Sequence, residues 1–150
     1  MRALLIAGLL WAGAAMAAAP QPDPKLSPSQ VVGFQLDALR EVDRPVPDAG
    51  FATVFRFTSP ENRAQTGPVE RFSKMIREGY GELINHRSAR LLATIQQGEE
   101  ALQPVEVTSR SGRVIRYVFL LRRIDAGPYA GCWMTDGVVQ PEDAGQSSET

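Results

Sequence analysis

Four runs that favour β-strands fill the second half of the chain, and short turn-forming segments separate them. The runs are RSARLLATIQQ (87–97), ALQPVEVTSR (101–110), RVIRYVFLLRRI (113–124) and GCWMTDGVVQ (131–140). They are rich in β-branched and aromatic residues, and the segments between them contain the Gly, Asp, Ser and Pro that favour turns. Strands joined by short turns pair in antiparallel fashion. The sequence therefore predicts an antiparallel sheet of about four strands in meander order.

The third of these runs indicates which face of the sheet is buried. Side chains alternate between the two faces of a strand, so Ile115, Tyr117, Phe119 and Leu121 share one face. The opposite face carries two arginines, and we therefore expect the apolar set to pack against the helices. In the second run, Pro104 cannot donate a hydrogen bond to a neighbouring strand, which indicates an edge position or a bulge.

Helices precede the sheet, and prolines mark where they begin. In the segment SPSQ, Ser27 is a suitable N-cap, Pro28 takes the first helical position and Gln30 completes a capping box. This first helix is predicted to run to about Asp43. The spacing of apolar residues predicts a later amphipathic helix over residues 68–79, which begins at a proline and ends at a glycine.

The segment between these helices leaves two points open. The run FATVFRF (51–57) is either a short strand or a helical turn. In SPENRAQTGP (59–68), Ser59 caps a short helical piece whose first turn contains Asn62 and Arg63. We expect these two residues to fasten a corner of the chain through hydrogen bonds to neighbouring loop carbonyls or a carboxylate. Contact with a ligand is the alternative.

Helices followed by antiparallel strands indicate an α+β fold, in which N-terminal helices pack on one face of a C-terminal sheet. A composition of 43% hydrophobic and 22% charged residues is typical of a globular protein. We expect a single α+β domain over residues 27–140. An extended leader (18–26) precedes it, and a polar, disordered tail (141–150) follows it.

The first residues of the chain have the three-part layout of a secretory signal peptide. Arg2 is followed by an apolar run over residues 3–13 and by the small-residue triplet AMA at 15–17. We expect cleavage near Ala17, which removes residues 1–17 and leaves a periplasmic or secreted chain that does not insert into the membrane. An uncleaved anchor is the alternative, but the apolar run is shorter than the roughly 20 residues that a spanning helix needs.

Charge and motif content argue against several functional classes. The formal net charge is -1 and the basic residues are scattered, so the basic surface of a nucleic-acid binder is not expected. The chain has one histidine, His86, and one cysteine, Cys132, and it carries no motif of a hydrolase, a nucleotide-binding protein or a metalloenzyme. We predict no metal and no cofactor. His86 is expected to be solvated or to cap a helix end, and Cys132 to be buried and inert.

Three segments resemble the family called domain of unknown function 4864: SPSQVVGFQLDALR (27–40), FRFTSPENRAQTGPVERFSKMIREGY (55–80) and CWMTDGV (132–138). The resemblance covers roughly Ser27 to Val139, and its most specific block holds SP, NR and TGP in that order. It implies a small α+β domain similar to the cystatin-like or nuclear-transport-factor-2-like cone folds, in which helices cover a curved sheet. It implies no particular activity, because such folds serve many functions.

Five residues are candidates for ligand contact. Gln35 falls inside the apolar arc of the first helix, where a buried amide either ties the helix to another backbone or lines an internal cavity. Tyr117 and Trp133 would form the wall of a pocket between that helix and the sheet, although aromatic residues at such positions are more often part of the core. Asn62 and Arg63 complete the set.

Three functional hypotheses follow, in order of preference. The first is a non-enzymatic exported domain that binds a partner protein or another component of the cell envelope, because catalytic residue types are scarce. The second is a binder of a small ligand in the space between the first helix and the sheet. The third is an enzyme of the cone-fold type with Asp136 or His86 as the base. The segment TDG (135–137) is equally a signal for a turn or a bulge.

Overall fold

The computed structural model describes residue 13 and residues 18–141, in which four α-helices and a 3-10 turn precede five strands. The helices are α1 (Pro28–Arg40), α2 (Ala49–Arg56), α3 (Pro60–Thr66) and α4 (Val69–Gly79), the 3-10 turn is Gly81–Leu83, and the strands are β1 (Ser88–Leu91), β2 (Ile95–Gln97), β3 (Glu100–Thr108), β4 (Val114–Arg123) and β5 (Trp133–Val139). The predicted α+β fold is thus confirmed. The residues of the expected signal peptide (1–17), apart from residue 13, and residues 142–150 of the expected tail lie outside the described residues.

Local capping chemistry accounts for where the helices begin. Ser27 and Gln30 form the predicted capping box at the start of α1, and the Ser59 side chain accepts a hydrogen bond from the Asn62 N–H at the start of α3. The open point at 51–57 is resolved as helix, because α2 covers most of that run. The α1 helix ends at Arg40, three residues before the predicted end at Asp43.

The sheet has five strands rather than four because the first β run is broken at residues 92–94. Its two halves, β1 and β2, both pair with β3, and the sheet continues through β4 to β5. Pro104 of β3 lies opposite the break, and its carbonyl accepts a hydrogen bond from the Leu92 N–H at 2.9 Å. The proline therefore interrupts its edge neighbour, while β3 itself stays continuous and internal.

One face of the sheet carries the helices. The four residues predicted to face them are buried, with Tyr117 and Phe119 almost completely so, which confirms the predicted alternation in β4. Helix α1 contacts β1, β3 and β5, and α3 contacts β5. Part of the leader also packs on the domain, because Leu26 contacts the core and Pro24 lies beside Gly131. None of the helices formed by the described residues has the length and the apolar composition needed to cross a bilayer.

Candidate functional site

A cavity of about 190 Å³ lies between the helices and strands β4 and β5. Its lining is mainly apolar and consists of Gln35, Leu39, Val54, Thr58, Asn62, Thr66, Phe72, Met75, Ile76, Tyr80, Leu83, Phe119, Thr135, Gly137, Val138 and Val139. One end is closed by residues with almost no exposed surface, among them Gln35, Leu39 and Phe119. The other end opens at Met75 and Val139, whose exposed fractions are 37% and 46%. The space is a blind pocket with an apolar wall.

The closed end of the pocket carries a buried polar pair. The Gln35 Nε2 group donates to Thr135 Oγ1 at 2.9 Å and to the Val31 carbonyl of its own helix at 3.2 Å. The Gln35 Oε1 atom also lies 3.3 Å from the Thr135 hydroxyl. Gln35 and Thr135 are exposed by only 1% and 2%. The sequence left open whether Gln35 ties α1 to another element or lines a cavity, and in the structure it does both.

A β-bulge in β5 contributes to the position of Thr135. Leu120 pairs with Gly137 and Leu121 with Thr135, so that Asp136 is an extra residue between them. A bulge reorients side chains locally, and here Asp136 is exposed and lies 3.2 Å from the Arg122 guanidinium. The bulge predicted at TDG is therefore present, and Asp136 does not face the cavity, where a base was considered.

Helix α3 forms part of the pocket wall beside Thr135. Asn62 lines the cavity, and its Nδ2 group donates to the Thr135 carbonyl at 3.3 Å. Thr66, which also lines the cavity, donates from its hydroxyl to the Asn62 carbonyl at 2.8 Å. Of the five predicted ligand contacts, the structure therefore brings Gln35 and Asn62 to one pocket, and both bond to Thr135.

Arg63 does not line the cavity, and it fastens the corner around α3. Its Nη2 group donates to the carbonyls of Arg56 at 3.0 Å and of Phe55 and Thr58 at 3.4 Å, and Nη1 donates to the Tyr129 hydroxyl at 3.3 Å. The guanidinium also lies over the Phe55 ring, 5.3 Å from its centroid. These are the hydrogen bonds to neighbouring loop carbonyls that the sequence led us to expect.

Tyr117 and Trp133 do not line this pocket. Both are buried in the core, where the Tyr117 ring centroid lies 6.5 Å from that of Tyr80 and the Arg123 guanidinium lies 5.7 Å from the Trp133 ring centroid. Burial, together with the nearby Glu82 carboxylate, raises the pKa of the Tyr117 hydroxyl. Sequence alone did not separate these core aromatics from pocket aromatics, because both occupy inward positions of their strands.

His86 is buried, so of its two expected roles the solvated one is wrong and the capping one is found. Its exposed fraction is 3%, and its Nδ1 atom donates to the Leu83 carbonyl at the end of the 3-10 turn, at 2.8 Å. Burial lowers the pKa of the imidazole below its ordinary value. His86 does not line the cavity. The ring thus caps a helical turn outside the pocket lining.

Comparison with known families identifies the chain. A model of the family described as Domain of unknown function (DUF4864) matches residues 23–147. The chain belongs to this family. No curated protein and no solved structure matches the chain. The match begins at residue 23, before the predicted domain start at residue 27, and it therefore includes the Pro24 and Leu26 that pack on the DUF4864 domain.

The DUF4864 domain places its one thiol away from the pocket as well. Cys132 is buried, as predicted, and burial raises the pKa of its thiol. In the part of the chain that the structure describes, no three His, Cys, Asp or Glu side chains come close enough together to hold a metal ion. What the site offers is therefore shape, apolar contact and the neutral hydrogen-bonding groups of Gln35, Asn62 and Thr135.

Proposed function

We propose that this DUF4864 domain is a non-catalytic binding module that holds a small molecule in the pocket between α1 and the sheet. The observation that carries the proposal is the 190 Å³ apolar pocket that ends at the buried pair Gln35 and Thr135. Ligand sites are mostly apolar concavities with a few convergent polar groups. Apolar cavities of about 150 Å³ accept a molecule such as benzene. The pocket thus favours the small-ligand hypothesis over a module that binds only proteins.

The energetic cost of the pocket supports the same conclusion. Unfilled cavities cost about 24 cal/mol per Å³, so a pocket of this volume forgoes up to roughly 4.6 kcal/mol of packing. Net stabilities of small domains are only about 5–15 kcal/mol. Larger side chains at Val54 or Val138 would fill the space. A pocket that lowers the stability by this amount is explained better by binding of a ligand than by packing alone.

We expect uncharged compounds of about six to ten carbon atoms, such as toluene, indole and cyclohexanol, to stabilise the protein through this pocket. A ligand at a hundred times its Kd contributes about 2.7 kcal/mol, which corresponds to a rise in Tm of roughly 10 °C for a domain of this size. Differential scanning fluorimetry measures the shift. The Val138→Phe variant, which fills the pocket, should abolish it.

A matched control separates the pocket from unspecific effects of a new aromatic residue. Val114 is 67% exposed and does not line the pocket, so the Val114→Phe variant should keep the full ligand-induced shift. The proposal is overturned if no compound raises the Tm of the wild type more than that of Val138→Phe.

We also propose that the domain acts outside the cytoplasm, in the periplasm or after secretion, as a component of the cell envelope. The support is the layout of residues 1–17, in which a basic residue, an apolar run and small residues follow one another. Mass spectrometry of the protein from the extracytoplasmic fraction should show a chain that begins at Ala18. A chain that retains Met1 would contradict this proposal. The cystatin-like cone is likewise proposed, and superposition of the helices and the sheet on cystatin-like domains tests it.

A further inference from the structure

We propose that the ligand is an uncharged molecule with a compact hydrocarbon body and one hydroxyl group, and that this hydroxyl binds to Gln35 and Thr135 at the closed end of the pocket. The inference rests on the proposed function and adds the chemical class and the orientation of the ligand. Three features of the pocket carry it: the absence of charge in its lining, the hydrogen-bonding state of the polar pair, and the apolar surface around that pair.

The lining argues for an uncharged ligand. None of the lining residues in the described part of the chain is acidic or basic. Arg63, which follows the lining residue Asn62 in sequence, does not line the cavity. Its Nη1 and Nη2 groups donate to the Arg56, Phe55 and Thr58 carbonyls and to the Tyr129 hydroxyl, while its Nε is buried without a hydrogen-bond partner. A buried ion without a counter-charge costs several kcal/mol. Carboxylates, phosphates and ammonium compounds are therefore poor occupants of the closed end.

The polar pair argues for a hydroxyl group. Both N–H donors of the Gln35 amide are used, on the Val31 carbonyl and on Thr135 Oγ1. The Thr135 hydroxyl already accepts from this amide, and its own proton reaches only the Oε1 atom of the same amide, at 3.3 Å. The Gln35 Oε1 acceptor and the Thr135 hydroxyl proton are therefore bonded only to each other, and over a long distance. A ligand hydroxyl donates to Gln35 Oε1 and accepts from Thr135, whereas a carbonyl uses only the donor.

The surroundings of the pair set the shape of the ligand body. Leu39, Val54 and Phe119 line the cavity as buried apolar side chains. Burial of hydrocarbon there is favourable by about 25 cal/mol per Å², and the volume limits the body to a ring or a short branched chain. A second polar group on the part of the body that contacts these three side chains would lie against apolar atoms and lose its hydrogen bonds to water.

Isothermal titration calorimetry at pH 7 with three probes of one shape tests the inference: 4-methylphenol, toluene and 4-methylbenzoate. At this pH the phenol is neutral and the benzoate is charged. We expect 4-methylphenol to bind about tenfold more tightly than toluene, which is what one to two net hydrogen bonds contribute. The benzoate should bind at least a hundredfold more weakly than the phenol. Equal or tighter binding of toluene, or binding of the benzoate within tenfold of the phenol, overturns the inference.

The Thr135→Val/Gln35→Leu double variant tests the orientation of the ligand. It replaces both polar side chains of the pair by apolar ones of similar size, so the affinity for 4-methylphenol should fall about tenfold to that of toluene, while toluene binding stays close to that of the wild type. Thr53→Val is the control, because Thr53 is buried but does not line the pocket, and it should keep the tenfold preference. A tenfold preference for 4-methylphenol that survives in the double variant overturns the inference.

The outcomes separate this inference from the proposed function. Binding of toluene and 4-methylphenol with equal affinity supports the proposed function and overturns the hydroxyl inference alone. Failure of all three probes to bind the wild-type protein overturns the hydroxyl inference, and failure of the wider thermal-shift panel as well overturns the proposed function.

Discussion

Replacement of Gly50 by alanine is expected to lower the free energy of unfolding by about 3 kcal/mol or more. Gly50 lies at the start of α2 where that helix meets the end of α1, and its N–H donates to the Val42 carbonyl at 2.8 Å. A Cβ atom at this position would lie 2.2 Å from the Ala38 carbonyl oxygen and 2.7 Å from the Val42 Cα. Because both neighbours are backbone atoms, the two helices would have to separate. Urea unfolding followed by Trp133 fluorescence measures the loss.

A second glycine provides a control, because its replacement by alanine should change the stability in the opposite direction. Gly33 lies inside α1, and a Cβ atom there would meet only Leu91 Cδ1, at 3.9 Å. Alanine is about 1 kcal/mol more favourable than glycine in a helix interior, so Gly33→Ala should raise the stability by up to that amount. A Gly50→Ala variant that loses less than 1 kcal/mol would show that the close approach of α1 and α2 is wrong.

Replacement of Arg63 by alanine is expected to lower the free energy of unfolding by about 3 kcal/mol. The guanidinium donates to three carbonyls of the α2–α3 corner and to the Tyr129 hydroxyl. A hydrogen bond that involves a charged group contributes about 1.5–3 kcal/mol, and a carbonyl left buried without a partner costs further free energy. Because α3 carries Asn62 and Thr66 of the pocket wall, the loss should also weaken ligand binding. Urea unfolding and calorimetry measure the two effects.

Two variants test whether the planar guanidinium is what matters at this corner. Arg63→Lys keeps the charge but cannot reach several acceptors at once, and we expect it to recover less than half of the lost stability. Arg71→Ala removes an exposed arginine of α4 and should change the stability by less than about 0.5 kcal/mol. An Arg63→Ala variant of native stability that no longer binds the ligand would instead favour direct ligand contact by Arg63.

Much of the architecture was predictable from short stretches of sequence. The capping box at Ser27, the cap at Ser59 and the inward set of β4 all follow from interactions within a few residues or from side-chain alternation. The five-strand count was missed, because the break in the first run lies opposite Pro104 of another strand. A local pattern does not report a partner that is distant in sequence.

The candidate site was only partly predictable. Gln35 was found because an amide interrupts an apolar helical face, which is a local signal. Its partner Thr135 was missed, because in that segment only the neighbouring Asp136 was considered as a candidate, and the contact between Thr135 and Gln35 joins distant parts of the chain. Tyr117 and Trp133 were assigned to a pocket wall and lie in the core outside the pocket, since core and pocket positions have the same pattern of inward apolar residues.

The sequence by itself determined that helices precede an antiparallel sheet, where α1 and α3 begin, which face of β4 points inward and the membership in the DUF4864 family. These depend on backbone capping, on turn chemistry and on the periods of helix and strand, all of which act over a few residues. Only the tertiary structure decided that Gln35 meets Thr135, a hundred residues away, that a bulge turns Asp136 outward, and that a pocket remains between α1 and β5. The physical reason is that a cavity is the volume left unfilled when elements that are distant in sequence pack together, and no single segment of the sequence encodes that volume.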